Sequence, residues 1–178
     1  MVKSFATICL ALAVCLSGLA GVRETYAQAA KGTTGLPIPR FVSLKSKRVN
    51  LRVGPGKDYA VSWLYLKAGL PVEIIAEYDN WRRIRDADGT EGWVNHSLLS
   101  GDRAALTAPW MRGKGEDVFV DMRRDPTNSA GLVARMQPGV VLKIDECNGA
   151  WCRAVADGTE GWVNQSEIWG AYPGEAFK

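Results

Sequence analysis

One eight-residue sequence, Asp-Gly-Thr-Glu-Gly-Trp-Val-Asn, occurs twice in this chain, at residues 88–95 and again at residues 157–164. Further matches precede both occurrences in the same order: Trp81 and Trp151, Gly69 and Gly139, Leu51 and Met122. The separation between matched positions hardly changes along the chain, which chance does not explain. The sequence therefore contains two copies of one unit, at about 45–99 and 116–169, and it must fold into something that can be built twice.

Each copy is a series of short apolar runs separated by turn residues, without a long stretch of helical periodicity. The first copy has runs at 49–53, 61–66, 72–78, 81–85 and 91–95, and the second has runs at 118–122, 132–136, 140–146, 152–156 and 161–164. Asp-Gly at 88–89 and 157–158 is a hairpin signal, because Gly accepts the positive φ of a type I′ turn. Residues 96–99 and 165–168 predict one helical turn after the last strand of each copy.

Five short strands in so small a unit predict an antiparallel barrel, which closes the sheet and removes its exposed edges. The predicted fold class is all-β, with two tandem small antiparallel barrels, and one continuous ten-stranded sandwich is the alternative. Outside the repeats we assign residues 30–44 to an N-terminal extension, 100–115 to a linker and 170–178 to a C-terminal tail that is loose after Pro173.

The first 29 residues have the pattern of a cleaved secretory signal peptide. Lys3 is followed by an almost unbroken apolar run at 5–20 and then by the small-x-small site Ala27-Gln28-Ala29. A membrane anchor is the alternative, but the run is shorter than the roughly 20 residues that span a bilayer. A lipoprotein signal at Cys15 is disfavoured because Val14 stands where a small residue is needed. We therefore expect an exported, soluble, periplasmic protein.

The charge balance limits the classes of partner. The chain has 22 Lys and Arg against 19 Asp and Glu, a net charge of +3, without the one-sided basic clustering of nucleic-acid binders. With only 1 His, the chain cannot supply a site of several His ligands to a metal. We expect no nucleic-acid partner, no metal and no cofactor, and no second segment is apolar enough to predict a membrane span.

The cysteines that follow the signal, Cys147 and Cys152, flank an Asn-Gly turn. Their even number in an exported protein predicts a disulfide across a hairpin tip, which stabilises the fold by roughly 2 kcal/mol. A redox pair and a nucleophile are the alternatives. A Cys-His hydrolase also needs a His base, but His96 is replaced by Gln165 in the second copy. We predict that the protein is not an enzyme.

Two stretches of the first copy resemble the signatures of the bacterial SH3-like (SH3b) domain. Residues 49–56, Val-Asn-Leu-Arg-Val-Gly-Pro-Gly, resemble the family's opening N-x-R-x-G-P, and residues 92–99, Gly-Trp-Val-Asn-His-Ser-Leu-Leu, resemble its closing G-W-V…L. The duplicated chain is similar to a two-repeat exported group of SH3-domain proteins from alphaproteobacteria. The second copy departs from the pattern, with Asp121 in place of the Asn and no glycines in Arg124-Asp125-Pro126.

The resemblance implies two SH3-like barrels with a non-enzymatic binding role. The expected partners are peptidoglycan peptides or an extended segment of an envelope protein. One alternative is a structural or regulatory subunit that docks on a cell-wall enzyme, and another is an unrecognised cell-wall hydrolase.

The candidate ligand contacts are aromatic side chains of the first copy, since SH3 domains bind extended segments in aromatic grooves. They are Tyr59, Trp63 and Tyr65, which follow the Gly-Pro-Gly loop, and Trp93. Core packing is the alternative for Trp93, and it is favoured for Trp81 and Trp151. The second copy has Ala130, Val133 and Arg135 at the places of the first three, so we expect the first copy to be the main binder.

Two further groups outside this aromatic set have predicted roles. Arg83 and Arg85 alternate onto one strand face that could pair with carboxylates, and the alternative is an exposed strand protected from edge pairing by charge. Trp110, Trp169 and Tyr172 lie outside the predicted strands, so we expect them to pack the two barrels together.

Overall fold

The computed structural model describes residues 30–178, and the predicted signal peptide lies outside the described residues. The first half contains β1 (Ala30–Lys31), β2 (Pro37–Ile38), β3 (Arg40–Leu44), β4 (Val49–Arg52), β5 (Val61–Tyr65), β6 (Pro71–Tyr78), β7 (Trp81–Arg85), β8 (Glu91–Asn95) and β9 (Leu99–Ser100). The second half contains β10 (Ala104–Thr107), β11 (Val120–Arg123), β12 (Leu132–Met136), β13 (Val141–Asn148), β14 (Trp151–Ala156), β15 (Thr159–Asn164), β16 (Ile168–Trp169) and β17 (Ala176–Phe177). Short 3-10 turns lie at His96–Leu98, Pro109–Met111 and Gln165–Glu167.

β1 and β2 form a separate two-stranded sheet, and the other strands form two curled antiparallel sheets, which we call the first and second barrels. The first has the order β5-β4-β8-β7-β6-β3-β9, and the second has the equivalent order β12-β11-β15-β14-β13-β10-β16, with β17 added to β13. All ten predicted strands and both predicted helical turns are present, with ends that shift by a few residues. The predicted all-β class with two tandem barrels is therefore confirmed.

Each barrel encloses its own core, because alternate residues of each strand point inward. Fully buried side chains of the first core are Val49, Leu51, Val72, Ile84 and Val94. Those of the second core are Met122, Leu142, Cys152, Ala154 and Val163. The two sets come largely from equivalent strands, so the repeated sequence forms a similar core in each barrel.

The Gly of the repeated Gly-Trp-Val-Asn sequence is required by close packing between strands. A Cβ atom at Gly92 would lie 2.5 Å from Leu51 Cγ and 2.9 Å from the Arg52 carbonyl oxygen. A Cβ atom at Gly161 would meet Met122 Cγ at 2.6 Å and the Arg123 carbonyl oxygen at 2.8 Å. The backbone of this strand therefore passes over its neighbour where no side chain fits.

The Asn of the same sequence starts the 3-10 turn that follows. Asn95 Oδ1 accepts hydrogen bonds from the Ser97 amide at 3.1 Å and the Ser97 hydroxyl at 2.8 Å. Asn164 makes the equivalent bonds to Ser166. These side-chain caps fix the direction in which the chain leaves the last main strand of each barrel.

The identical octapeptides form different turns. Asp157 and Gly158 both have positive φ, 46° and 81°, as a two-residue type I′ hairpin requires. In the first copy only Gly89 has positive φ, and the loop is longer because the Asp86 carboxylate accepts two of its backbone amides. Val155 faces Glu160 as Arg85 faces Glu91, so Ala156 stands at the place of Asp86 and cannot accept these bonds. The type I′ prediction is therefore correct for the second copy and wrong for the first.

Two strands lie in segments that the sequence predicted to be an extension and a linker. Strand β3 pairs with β6 and β9, and β10 pairs with β13 and β16. Both are short apolar runs, residues 41–44 and 104–107, whose members are all buried. Pattern reasoning missed them because neither resembles the other in sequence, although each closes its barrel at the same place.

The C-terminal segment is also ordered, contrary to the expectation of a loose tail after Pro173. Strand β17 pairs with β13 at Cys147 and Asn148. Gln165 is 5% exposed, and its Nε2 donates to the carbonyl oxygens of Tyr172 at 2.6 Å and Glu175 at 3.0 Å. The segment is therefore held by the second barrel through both backbone and side-chain bonds.

The two barrels contact each other through aromatic side chains. Phe41 of the first barrel packs edge-on against Trp169, with ring centroids 4.9 Å apart, and lies 4.7 Å from the ring of Tyr172. The Tyr172 hydroxyl also donates to Glu73 Oε1 at 2.7 Å. The predicted packing role is confirmed for Trp169 and Tyr172. Trp110 is 48% exposed on a 3-10 turn and takes no part in these aromatic pairs.

Cys147 and Cys152 form a disulfide across the β13–β14 hairpin, with Cα atoms 4.1 Å apart at directly paired positions. The predicted structural disulfide is therefore confirmed. Within residues 30–178, none of the helical segments is long enough and apolar enough to cross a bilayer.

Candidate ligand-binding surfaces

The six predicted contact residues do not form a single site. Trp63 and Tyr65 line a groove of about 430 Å³ that runs between the two barrels and includes Leu106 and Val141 of the second barrel. We call this the inter-barrel groove. The other four residues lie elsewhere: Tyr59 on the first loop, Trp93 and Arg83 on an outer sheet face, and Arg85 beside the barrel contact.

Trp63 is the open aromatic contact of the inter-barrel groove. Its side chain is 56% exposed, whereas Tyr65, two residues further along β5, is only 6% exposed. The Tyr65 hydroxyl donates to Asp86 Oδ2 at 2.9 Å. Burial, together with the neighbouring Asp86 charge, raises the pKa of Tyr65, so this hydroxyl remains a donor. Tyr65 thus forms part of the groove wall and is held by its hydrogen bond to Asp86, whereas the ring of Trp63 is exposed to solvent.

Charged groups of both signs surround that ring. Asp88 of the first barrel pairs with Arg112 of the second, at 2.7 Å between Oδ1 and Nη2. Lys67 and Asp86 line the same groove. The groove therefore combines an exposed aromatic face with an ammonium group, a guanidinium group and two carboxylates.

Tyr59 is 49% exposed, but one face of its ring lies on the Gly-Pro-Gly loop. A Cβ atom at Gly54 would come within 2.3 Å of the Tyr59 ring, so Gly is required beneath it. In the second copy the equivalent residues are Asp125 and Ala130, and the two changes compensate because the smaller side chain leaves room. This explains why the second loop lacks the glycines of the family signature.

The Arg of the N-x-R signature closes the same loop in both barrels. Arg52 donates to the Tyr59 carbonyl oxygen at 2.6 Å, and Arg123 donates to the Ala130 carbonyl oxygen at 2.9 Å. These bonds span seven residues and hold the loop against the sheet. The signature residue therefore has a structural function in each copy.

The equivalent positions in the second barrel differ from those that the sequence predicted. Leu51 pairs with Trp63, and Met122 pairs with Ala134, so Ala134 and Met136 take the places of Trp63 and Tyr65. The predicted equivalents, Val133 and Arg135, are shifted by one residue, which reverses the side of the strand on which a side chain lies. The second copy still has no aromatic residue at these positions.

Trp93 lies on an outer face between two arginines of neighbouring strands. It pairs directly with Arg52 on β4 and with Arg83 on β7, and its side chain is half-buried. The second barrel repeats this row with Arg123, Trp162 and Arg153. Because the row recurs in both barrels, packing on the sheet surface explains Trp93 without a ligand.

Arg83 and Arg85 do share one face of β7, as alternation predicted. Each, however, is paired within the molecule: Arg83 Nη2 lies 2.8 Å from Glu91, and Arg85 Nη2 lies 2.6 Å from Glu73. Strand β7 is also central in its sheet, so protection of an edge does not explain these charges. The pairing of Arg85 contributes to the barrel contact, since Glu73 also accepts the Tyr172 hydroxyl.

The structure brings together a second set of residues that sequence analysis missed. Arg48, Arg52, Lys57 and Trp81 line a pocket of about 290 Å³ in the first barrel, with Asn50, Asn95 and Leu98. These positions lie far apart along the chain. Only the closure of the barrel, which places the first loop beside the 3-10 turn, makes them neighbours.

The Cys and His side chains considered for hydrolysis do not form a catalytic pair in the described residues. Both sulfur atoms are in the disulfide, and His96 lies exposed on the 3-10 turn. Within residues 30–178, no three His, Cys, Asp or Glu side chains are grouped so that they could hold a metal ion.

Comparison with known proteins agrees with the duplicated barrel. A family model described as bacterial SH3 domain matches residues 45–101 and again residues 116–170. No match to a curated protein was found.

Two solved structures from Trichomonas vaginalis are distantly similar. NlpC2 has 10% sequence identity and a TM-score of 0.33 over 74% of this chain, and NlpC1 has 10% identity and a TM-score of 0.34 over 78%. This chain spans 48% of the length of either structure. The two family matches cover most of both barrels, and the chain therefore belongs to the bacterial SH3 domain family, of which it carries two tandem copies.

Proposed function

We propose that this protein is a non-enzymatic binding module of the periplasm that recognises peptidoglycan stem peptides in the inter-barrel groove. Bacterial SH3 domains are cell-wall binding modules, which gives the class of ligand. The observation that carries the site is Trp63, a large aromatic side chain that is more than half exposed inside a groove with charges of both signs.

The chemistry of the groove fits a short peptide that carries both amines and carboxylates. Lys67 can pair with a carboxylate, and Asp86 can accept a bond from an ammonium group. The exposed face of Trp63 suits the small apolar side chains between them, because aromatic rings bury much area with little loss of freedom. Two barrels are needed for the groove, since one wall comes from each.

Co-sedimentation with purified peptidoglycan tests this proposal, with Trp110→Ala as the matched control. Trp110 is 48% exposed, like Trp63, but it does not line the inter-barrel groove. We expect Trp63→Ala to weaken binding about tenfold, as loss of a central aromatic contact does, and Trp110→Ala to bind like the wild-type protein. Equal binding by both variants would exclude the groove, and no sedimentation of the wild-type protein would exclude peptidoglycan.

A second candidate function is capture of an extended segment of an envelope protein. Strand β5 is at the edge of its sheet, and Val61 and Leu66 beside Trp63 are 46% and 66% exposed. An edge strand with apolar side chains can accept a partner strand. Val61→Lys with Leu66→Lys would abolish such pairing while leaving peptidoglycan sedimentation intact, so the two functions are separable in one experiment.

A further inference from the structure

The pocket at Arg48, Arg52, Lys57 and Trp81 shares no lining residue with the inter-barrel groove. We call it the basic pocket. Its lining includes three cationic side chains and no carboxylate. It therefore differs in chemistry from the groove, where both signs of charge are present.

The cations of the basic pocket are not neutralised by the protein. None of the ion pairs formed within residues 30–178 involves Arg48, Arg52 or Lys57. Arg52 is nevertheless fixed in place, because one of its nitrogens donates to the Tyr59 carbonyl oxygen. A guanidinium group that is already oriented loses less freedom when it binds an anion.

The second barrel contains the same pocket position with different charges. The positions of Arg52, Trp81 and Asn95 are kept, as Arg123, Trp151 and Asn164. The other four differ in the second barrel: Phe119 replaces Arg48, Asp121 replaces Asn50, Asn128 replaces Lys57 and Glu167 replaces Leu98. The basic pocket of the first barrel thus has three cations and no carboxylate, whereas the equivalent position in the second barrel has one cation and two carboxylates.

One of the two carboxylates of the second barrel pairs with this cation. Asp121 Oδ2 lies 2.8 Å from Arg123 Nη2. Burial and the charge of Asp121 raise the pKa of Glu167. Arg123 is therefore neutralised by the protein itself, whereas its equivalent in the first barrel is not.

We propose that the basic pocket of the first barrel binds a carboxylate of a peptide ligand, and that the equivalent position in the second barrel does not. A planar guanidinium group pairs with a carboxylate through two parallel hydrogen bonds, and Lys57 and Arg48 add charge. Trp81 supplies an apolar surface for the aliphatic group next to that carboxylate. A volume of about 290 Å³ suits one short terminal group rather than a bulky ligand.

The test is a titration of the whole protein, followed by the amide NMR signals of residues 50 and 57. The probes are N-acetyl-alanyl-alanine with a free C-terminal carboxylate, the same dipeptide as its C-terminal amide, and inorganic phosphate. We expect the acid to bind at the basic pocket at least tenfold more tightly than the amide. Binding should weaken as salt is added, because the contact is between exposed charges.

The duplication supplies the matched variant. Asn50→Asp with Leu98→Glu places the second barrel's carboxylates in the first barrel, at positions where the same fold already accepts them. We expect this variant to lose binding of the dipeptide acid and to keep its unfolding temperature, whereas Trp110→Ala, which lies outside both sites, binds the acid normally. Loss of binding in Trp63→Ala instead would place the dipeptide in the inter-barrel groove and overturn the assignment.

Three other outcomes would contradict the proposal. Equal binding of the acid and the amide would show that no carboxylate is recognised. Tight binding of inorganic phosphate without binding of the acid would identify a different anion. Undiminished binding by the Asn50→Asp, Leu98→Glu variant would place the contact elsewhere. None of these results depends on whether intact peptidoglycan sediments with the protein.

Discussion

At the scale of single residues, four positions of the repeated octapeptide have the same structural role in both barrels. Its Glu pairs with an Arg of the neighbouring strand in both barrels, Glu91 with Arg83 and Glu160 with Arg153. Its Gly permits close strand packing, its Val is fully buried, and its Asn caps the 3-10 turn. The repetition that identified the fold is thus a repetition of structural requirements, and it says little about the ligand.

Replacing the packed glycine should destabilise the first barrel. Gly92→Ala places a methyl group against Leu51 and a backbone carbonyl oxygen, and we expect a loss of about 2 kcal/mol in the free energy of unfolding. Urea denaturation measures this loss. Gly101→Ala is the control, because nothing lies within 4 Å of a Cβ atom there. Equal stability of the two variants would contradict the packing requirement.

Glu77 makes the stability of the first barrel depend on pH. Burial opposes its ionisation, but hydrogen bonds from Thr34 and Arg40 outweigh burial and lower its pKa from 4.5 to about 2. The unfolded chain therefore takes up a proton at a higher pH than the folded chain does. The stabilisation by Glu77 is complete above pH 4.5 and is lost as the pH falls towards 2.

Unfolding experiments with Glu77→Gln check this dependence. We expect the variant to be less stable than the wild-type protein at pH 6, and the difference should shrink steadily between pH 4.5 and 2. A difference that stays constant over that range would show that the ionised carboxylate does not stabilise the fold.

At the scale of elements, the sequence predicted what its local patterns contain. The ten strands within the two repeats were found, but β3 and β10 were missed because they lie outside the matched segments and do not resemble each other. The two turns at Asp-Gly differ because of Asp86, a residue outside the repeated octapeptide. Element identity is thus largely local, whereas closure of the barrel and the choice of turn depend on residues outside the repeat.

The disulfide should stabilise one element pair. Because β17 pairs with β13 at Cys147, removal of the disulfide by Cys147→Ala with Cys152→Ala should loosen both strands. We expect a loss of roughly 2 kcal/mol. Hydrogen exchange should become faster in β13, β14 and β17, where the strands open locally, by more than in β4 to β8. An equal increase in both barrels would contradict a local effect.

At the scale of the whole molecule, the barrel contact determines which sites can exist. The inter-barrel groove requires both barrels, whereas the basic pocket belongs to the first alone. Sequence analysis could select Trp63 as an exposed aromatic residue, but it could not predict that Arg112 of the other barrel lines the same groove. It likewise could not predict that Lys57 and Trp81 line one pocket. Sites assembled from distant segments depend on packing, which one sequence does not reveal.

The contact should also make the two barrels unfold together. Phe41 is 8% exposed and packs against both Trp169 and Tyr172. We expect the wild-type protein to unfold in one calorimetric transition, and Phe41→Ala to unfold in two, because the coupling between the barrels is lost. Val53→Ala, at a position 63% exposed, is the control and should keep a single transition. Two transitions in the wild-type protein would contradict this coupling.

The bonds made by Gln165 give the two barrels a fixed order in the chain. Its amide group donates to two carbonyl oxygens of the C-terminal segment, and His96 occupies the equivalent place in the first barrel. A neutral imidazole has only one N–H to donate. A chain with the barrels exchanged would keep both cores, yet it would leave one carbonyl of that segment without its partner. Either copy can thus form its own core in either position, but only the second copy supplies both hydrogen-bond donors that the C-terminal segment needs.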